Sequence, residues 1–370
     1  MNASLNEKLR AVKWGEYKIG TLFDIENTLS FNAEKLVDGT EYDYVTRTSI
    51  NQGILQTTGF VNESNINASG TWSLGLLSMD FFYRRKPWYA GQFVRKIIPN
   101  ISIPEKAVPF FSTILNKQKP VLLSVLVRSV DEAFKNISIK LPETADGKID
   151  FDFMESFIAE LEAERVAELS SYLTVSGLDN YELSNDEEDA LKNFQSLKWD
   201  TYNLEKLFGK STRGKRLKGD DRIAGTLPFV TAGEASEGIS AYISNEVEVF
   251  EKNTTTIDMF GSAKYRNYIY GGDDHIAVVH TENLPKYASI FVTTAIHKSS
   301  HNGQFDYGHN FYAKDADALY ISLPVNEAGN PDYDKMAIII SAIHKLVIKD
   351  VVLYADRKIE GTRQILKSEL

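Results

Sequence analysis

Apolar side chains along this chain follow two rhythms. Met154, Phe157, Ile158 and Leu161, then Leu169 and Tyr172, keep to helical spacing. They predict a helix over residues 152–173, capped by Asp150 or Asp152 and ended by the Gly177 region. Met336, Ile339, Ile340, Ile343, Leu346 and Val347 form a second stripe, which Val351 and Tyr354 prolong, so a second helix is predicted over 332–363. Its first part is apolar nearly all round, which implies burial on two sides. Residues 183–194 read as a short acidic helix with Ser184 as its cap. Elsewhere, short runs of Val, Ile, Tyr and Phe lie between Gly, Asn, Asp and Ser clusters. They predict strands at 42–46, 81–83 and 93–98, and again at 227–231, 267–270 and 275–280. Residues 136–142 and 318–324 read as strands running into Leu-Pro.

The order of these elements repeats. At an offset of 185 residues, Lys13, Trp14, Tyr17, Leu22 and Phe23 fall on Lys198, Trp199, Tyr202, Leu207 and Phe208. At the same offset Val45, Thr46, Gly53 and Ile54 fall on Val230, Thr231, Gly238 and Ile239. At 182, Ile139, Leu141, Pro142, Gly147, Asp150 and Met154 fall on Ile321, Leu323, Pro324, Gly329, Asp332 and Met336. The expected organisation is a first body over 1–142, a helical segment over 143–178, an acidic connector over 179–198, a second body over 199–324 and a second helical segment over 325–370. The two helices, at equivalent places in a repeat, either pack antiparallel as spacers or lend their stripes to the core of their own body. Two similar units in tandem suit a partner that also has two similar places.

Charge changes this picture only when it is located. The net charge is −10, yet residues 143–189 alone hold 15 acidic and 2 basic side chains. Outside that connector the chain is near neutral with basic clusters, and local clusters decide what is gripped. There is no cysteine, hence no disulfide framework, no thiol nucleophile and no cysteine-bound zinc. The N-terminal residues lack the apolar stretch of a secretion signal, and the longest apolar runs, 121–127 and 336–343, are too short to span a bilayer. A cytoplasmic location is expected, with no membrane partner.

Several motifs imitate catalytic ones. Phe208-Gly209-Lys210-Ser211 resembles the end of a phosphate loop, but Leu204 stands where the earlier glycine is needed. Asn330-Pro331-Asp332-Tyr333 resembles a methyltransferase segment, but no glycine-rich strand-turn-helix for S-adenosylmethionine accompanies it. His297 and His301 are four apart, as zinc ligands on one helix face are, but Lys298 stands where a metalloprotease has glutamate. The first half has no histidine. No catalytic residue, metal or cofactor is therefore expected in this chain.

Basic and aromatic side chains in loops are the positive signal. Arg47 follows the strand at 42–46; Arg84, Arg85, Lys86 and Trp88, then Lys96, follow the strand at 81–83. In the second half Lys210, Arg213, Lys215, Arg216 and Lys218 lie in one glycine-bearing stretch, and Lys264, Tyr265 and Arg266 follow Gly261. Arginine grips phosphate or reads guanine through paired hydrogen bonds, and lysine adds unspecific charge. These residues are the candidate contacts to double-stranded DNA. The clusters look unmatched between the halves, which suits two modules reading different sequences.

The Trp opening with Leu22-Phe23 and Leu207-Phe208, the Tyr44-Val45-Thr46 and Phe229-Val230-Thr231 strands, and the strands into Leu141-Pro142 and Leu323-Pro324, all in the same order twice, resemble the specificity (S) subunits of type I and type IIB restriction-modification systems. The resemblance spans essentially the whole chain. It implies an α+β fold with two target-recognition domains in tandem, related by a pseudo-twofold and separated by two long antiparallel spacer helices. It implies a non-catalytic subunit that binds a bipartite DNA target and positions its partners there. Those partners would be DNA adenine methyltransferase subunits or a fused nuclease-methyltransferase, with a restriction subunit as a further one; S-adenosylmethionine would be bound by the methyltransferase. Phe157, Ile158 and Leu161 on the first helix, and Ile339, Ile340, Ile343, Leu346 and Val347 on the second, would be the partner-binding residues. After Leu141-Pro142 the text Glu143-Thr144-Ala145-Asp146-Gly147-Lys148 departs from many type I members and favours the type IIB-like branch. The alternative is a duplicated protein- or carbohydrate-binding scaffold without DNA. A hydrolase using the histidines of the second half is a third reading.

Overall fold

The computed structural model describes residues 3–368. It divides into two compact units: the chain through Leu169 together with the end of the last helix from Arg357, and Ser170–Asp356.

In the first body, strands β1 (Trp14–Lys18), β2 (Phe23–Asn27), β3 (Tyr42–Val45), β4 (Ile54–Thr58), β5 (Thr71–Gly75), β6 (Phe81–Arg84), β7 (Trp88–Ala90), β8 (Val94–Pro99) and β9 (Ser138–Pro142) form three small sheets. Their orders are β2-β8-β5-β6, β4-β3-β7 and β1-β9. The β1-β9 pair sets Trp14 opposite Pro142 and Tyr17 opposite Ile139, so the opening tryptophan segment and the closing Leu-Pro strand are one ladder.

The second body repeats this plan with β10 (Trp199–Asn203), β11 (Thr212–Arg213), β12 (Ala224–Val230), β13 (Ile239–Ile243), β14 (Val249–Phe250), β15 (Thr254–Asp258), β16 (Ala263–Arg266), β17 (Tyr270–Gly272), β18 (Ile276–Val279) and β19 (Tyr320–Pro324). The orders are β11-β18-β15-β16, β13-β12-β17-β14 and β10-β19. Trp199 again faces Pro324, and Tyr202 faces Ile321. Each body has its own core. Phe23, Trp72, Phe111, Phe134 and Met154 centre the first; Leu204, Ile257, Val292, Ile321 and Met336 centre the second.

Both long helices form: Phe151–Val175 and Tyr333–Ser368. Asp150 Oδ1 accepts the Phe153 N–H at 2.9 Å and Asp332 Oδ1 accepts the Lys335 N–H at 2.9 Å, so equivalent aspartates cap equivalent helices. Gly177, at φ +65°, ends the first, and the Leu178 N–H reaches back to the Leu173 carbonyl at 2.7 Å. Asn185–Lys192 is the acidic helix, capped reciprocally by Ser184 and Glu187. From Arg357 onward the last helix packs with the first body, where Lys358 Nζ lies 3.5 Å from Glu162 Oε2.

One expectation needs correcting, and two helices were not expected. Of the strand predicted at 267–270, residues 267–269 are instead the turn between β16 and β17, because β16 pairs with β15 so that Arg266 faces Thr254 and the ladder ends there. The bodies also contain helices that the apolar runs concealed, Val108–Asn116 and Lys286–Ser300. The latter carries Ile290, Val292, Thr293, Thr294 and Ile296, which favour strands in isolation; Val292, Thr293 and Ile296 are buried, and packing overrides that preference.

Candidate nucleic-acid interface

Equivalent hairpins stand out first. Between β3 and β4, Asn51, Gln52 and Gly53 have φ of 48°, 54° and 78°; between β12 and β13, Ser236, Glu237 and Gly238 have 48°, 55° and 82°. Three consecutive left-handed residues are costly where they are not glycine. Gly53 and Gly238 complete each turn, their carbonyls accepting the Thr46 and Thr231 N–H at 2.8 Å. A Cβ on Gly238 would come within 2.7 Å of the Thr231 carbonyl oxygen. The tips themselves are exposed.

Beside the first tip, Asn32, Thr46, Arg47, Thr48 and Gln92 line an open recess of about 510 Å³. Arg47 is exposed, its guanidinium 5.3 Å from the Phe93 ring. Three other candidate cations of this body are engaged. Arg85 lies 3.3 Å from Glu105, Lys86 2.9 Å from Asp43 and Lys96 2.9 Å from Glu26.

The second body differs at the edge of its sheet. Lys210, Arg213, Lys215, Arg216 and Lys218 are all exposed, and none has an ion-pair partner among the described residues. Their segment is pinned. β11 pairs with β18, the Ser211 N–H donates to Asp317 Oδ1 at 2.7 Å, and the Leu217 N–H donates to Asp273 Oδ1 at 3.3 Å. Gly214 crosses Gly272 so closely that a Cβ would lie 1.7 Å from its carbonyl oxygen. A rigid rail of five cations is thus held at a sheet edge. The equivalent strand of the first body, β2, reads Phe-Asp-Ile-Glu-Asn and carries no cation.

Three candidate contacts are corrected by burial. Arg84 and Arg266 are each 1% exposed and Trp88 is fully buried, so none can meet a phosphate or base directly. Trp88 donates its indole N–H to Thr71 Oγ1 at 3.2 Å. Tyr265 donates to Asn253, and Lys264 is held by Glu234 at 3.0 Å with Asp258 at 3.8 Å. The clusters are also less unmatched than expected. At the 182 offset Tyr83-Arg84 falls on Tyr265-Arg266, and both arginines end equivalent strands. That match was present in the repeat and could have been read there.

A second shared feature is an apolar groove on each body. In the first, Trp14, Phe110, Lys117, Ile158 and Leu161 line about 620 Å³; in the second, Trp199, Phe291, Lys298, Ile340 and Ile343 line about 730 Å³. Of the expected partner residues, Phe157 and Ile339 are buried in the cores of their own bodies, a correction that follows from their inward heptad position. Ile343, Leu346 and Val347 are exposed, with Val351 and Tyr354 extending the same face.

His297 and His301, the pair four residues apart, serve the backbone. His297 Nδ1 accepts the Ala263 N–H at 3.1 Å, and His301 Nδ1 lies 3.1 Å from the Phe260 carbonyl oxygen. Burial holds His297 below its ordinary pKa, and neighbouring His301 adds to this. Asp273, Asp274 and His275 bring three ligand-type atoms within 4.8 Å, the one such group found among the described residues. Asp273 is already tied to Leu217, and His275 to Asp274 at 3.1 Å.

A duplicated body with two exposed hairpin tips and a cationic rail is an arrangement suited to a polyanionic duplex. Residues 11–171 match the family model of the type I restriction modification DNA specificity domain. The chain is similar to S.BcgI, the specificity subunit of a type II restriction enzyme from Heyndrickxia coagulans, at 22% identity over 335 residues, 88% of this chain and 93% of that one. Its fold is similar to that of the type I restriction-modification S subunit from M. genitalium, with a TM-score of 0.56 at 15% identity, covering 97% and 95% of the two chains. The chain thus carries a match to a restriction-modification DNA specificity domain over residues 11–171, and its fold is α+β with two similar bodies in tandem. The scaffold reading without DNA is not favoured. No helix among the described residues is long and apolar enough to cross a membrane.

Proposed function

We propose that this chain is the non-catalytic subunit that selects a split DNA target, one part per body, and holds methyltransferase and nuclease subunits over it. The observation that carries this is one frame built twice with different contact chemistry. The second body offers a five-cation rail; the first offers Arg47 beside a polar recess. Cations that have no carboxylate partner retain their full pull on phosphate, whereas Lys86 and Lys96 do not. Side chains at the tips and recess supply the base contacts.

The two long helices act as spacers. Phe151–Val175 is 25 residues, about 37 Å at 1.5 Å per residue, close to one turn of B-DNA. Two modest grips joined in one chain act as one strong grip through effective concentration. Domain limits at 142/143, 178/179, 198/199 and 324/325 separate recognition bodies from spacers and connector in this reading. The exposed face of Ile343, Leu346 and Val347, and the grooves at Trp14 and Trp199, dock the partners. S-adenosylmethionine belongs to the methyltransferase partner. The type II relative supports the type IIB-like branch, in which nuclease and methyltransferase share one chain.

The test is selection from randomised duplexes by the full-length chain, alone and with its co-purified partner, followed by methylation mapping. A motif in two parts separated by unspecified bases is expected. A single uninterrupted motif, or no enrichment in either arm, would refute the assignment.

A further inference from the structure

The two buried arginines have no role in the function just described, and their surroundings are the same in both bodies. Arg84 Nε donates to Ser73 Oγ at 2.9 Å, and its Nη2 donates to the Gln52 carbonyl at 2.6 Å. Arg266 Nε donates to Thr256 Oγ1 at 2.9 Å, and its Nη1 donates to the Glu237 carbonyl at 2.8 Å. Each guanidinium therefore joins a hydroxyl on the central strand, β5 or β15, to the second left-handed residue of a hairpin tip. Neither has a carboxylate within ion-pair distance among the described residues. Burial brings the Arg84 pKa down to about 10, with Asp43 opposing the shift.

A buried guanidinium without a counter-ion is costly, and an apolar replacement commonly stabilises a core more. The same costly device at two equivalent places needs a reason beyond stability. The tips supply it. Residues 47–52 read Arg-Thr-Ser-Ile-Asn-Gln and residues 232–237 read Ala-Gly-Glu-Ala-Ser-Glu, with no position shared. Their left-handed φ values nevertheless agree within a few degrees. Backbone shape is held constant while side-chain chemistry varies, which is what a reading head needs. Gln52 offers the amide that pairs with adenine; Glu237 offers a carboxylate that accepts from cytosine.

We propose that Arg84 and Arg266 are positioning residues for base recognition, each locking one left-handed hairpin tip in the shape that reads one part of the target. This rests on the proposed function. Neither arginine touches DNA; each acts through the carbonyl it holds. Loss of the fork should therefore affect one part of the motif and spare the other, which a general loss of folding or of charge would not do.

The experiment compares motifs selected from randomised duplexes by the full-length chain and its variants. Arg84→Lys keeps the charge and loses the fork, and should lower enrichment of one part of the motif by about tenfold while leaving the other intact. Arg266→Lys should do the reverse. Adding Asn51→Gly to Arg84→Lys should restore part of the lost enrichment, because glycine adopts this φ without strain and the Gln52 amide is kept. If the lysine variants do not fold, the exposed-tip variants Asn51→Val and Ser236→Val replace them, since a β-branched residue resists φ near +50° and both reading side chains are kept; the same split loss is expected. Both parts retained in every variant, or both lost equally in folded protein, would overturn the proposal. A wild-type chain that selects no split motif would instead overturn the functional reading itself.

Discussion

Single residues show how far chemistry type outruns chemistry role. Arg84, Arg85 and Lys86 are adjacent in sequence, yet one is buried, one exposed and one paired with Asp43. Both ends of β6, Phe81 and Arg84, are buried, and no composition rule separates Arg84 from its exposed neighbour. Glu187 is a similar case. It sits in the most acidic segment, where a solvated carboxylate is the natural expectation. Burial would raise its pKa, but hydrogen bonds from Lys345 at 2.8 Å, Ser341 at 2.6 Å and the Ser184 N–H outweigh burial and bring it down to about 2. A folded-state pKa below the unfolded one gives stability that is present above about pH 4.5 and lost as pH falls toward 2. Glu187→Gln should cost the second body about 2 kcal/mol at neutral pH and flatten its acid sensitivity. Urea titrations at neutral and acid pH check both.

Elements carry the next distinction. The long helices were legible because their stripes hold for many turns and equivalent aspartates cap them. The helices Val108–Asn116 and Lys286–Ser300 were not, because a mostly buried helix has no polar face to reveal its period. The cationic rail was visible as a run of Lys and Arg, but its rigidity comes from elsewhere in the chain. Gly214→Ala would drive a methyl group into Gly272, displacing the rail without changing its charge. DNA affinity should fall several-fold while the second body stays folded, as gel shifts and near-ultraviolet dichroism would show. Arg213→Ala with Arg216→Ala should instead keep the rail in place. It should weaken binding and lower the slope of log affinity against log salt by about 2, as expected for two phosphate contacts removed. Binding unchanged across salt concentrations would take those arginines out of the interface.

At the scale of the molecule, the repeat is the dominant fact. Because each body has its own hydrophobic cluster, Glu187→Gln should lower only one unfolding transition, and calorimetry of the intact chain should show the other unmoved. The tandem architecture, the positions of the two long helices and the strands that close each body were determined by the sequence alone, since the offsets of 185 and 182 place like residues at like positions. Which cations face solvent was decided only by tertiary structure. So was the pairing of a buried arginine with a hairpin tip more than 25 residues away along the chain. The reason is physical: periodicity and repetition are local or translational properties that a sequence displays directly. Burial, ion pairing and close backbone approach depend on strands brought together from distant places, and their partners are not marked in the chain.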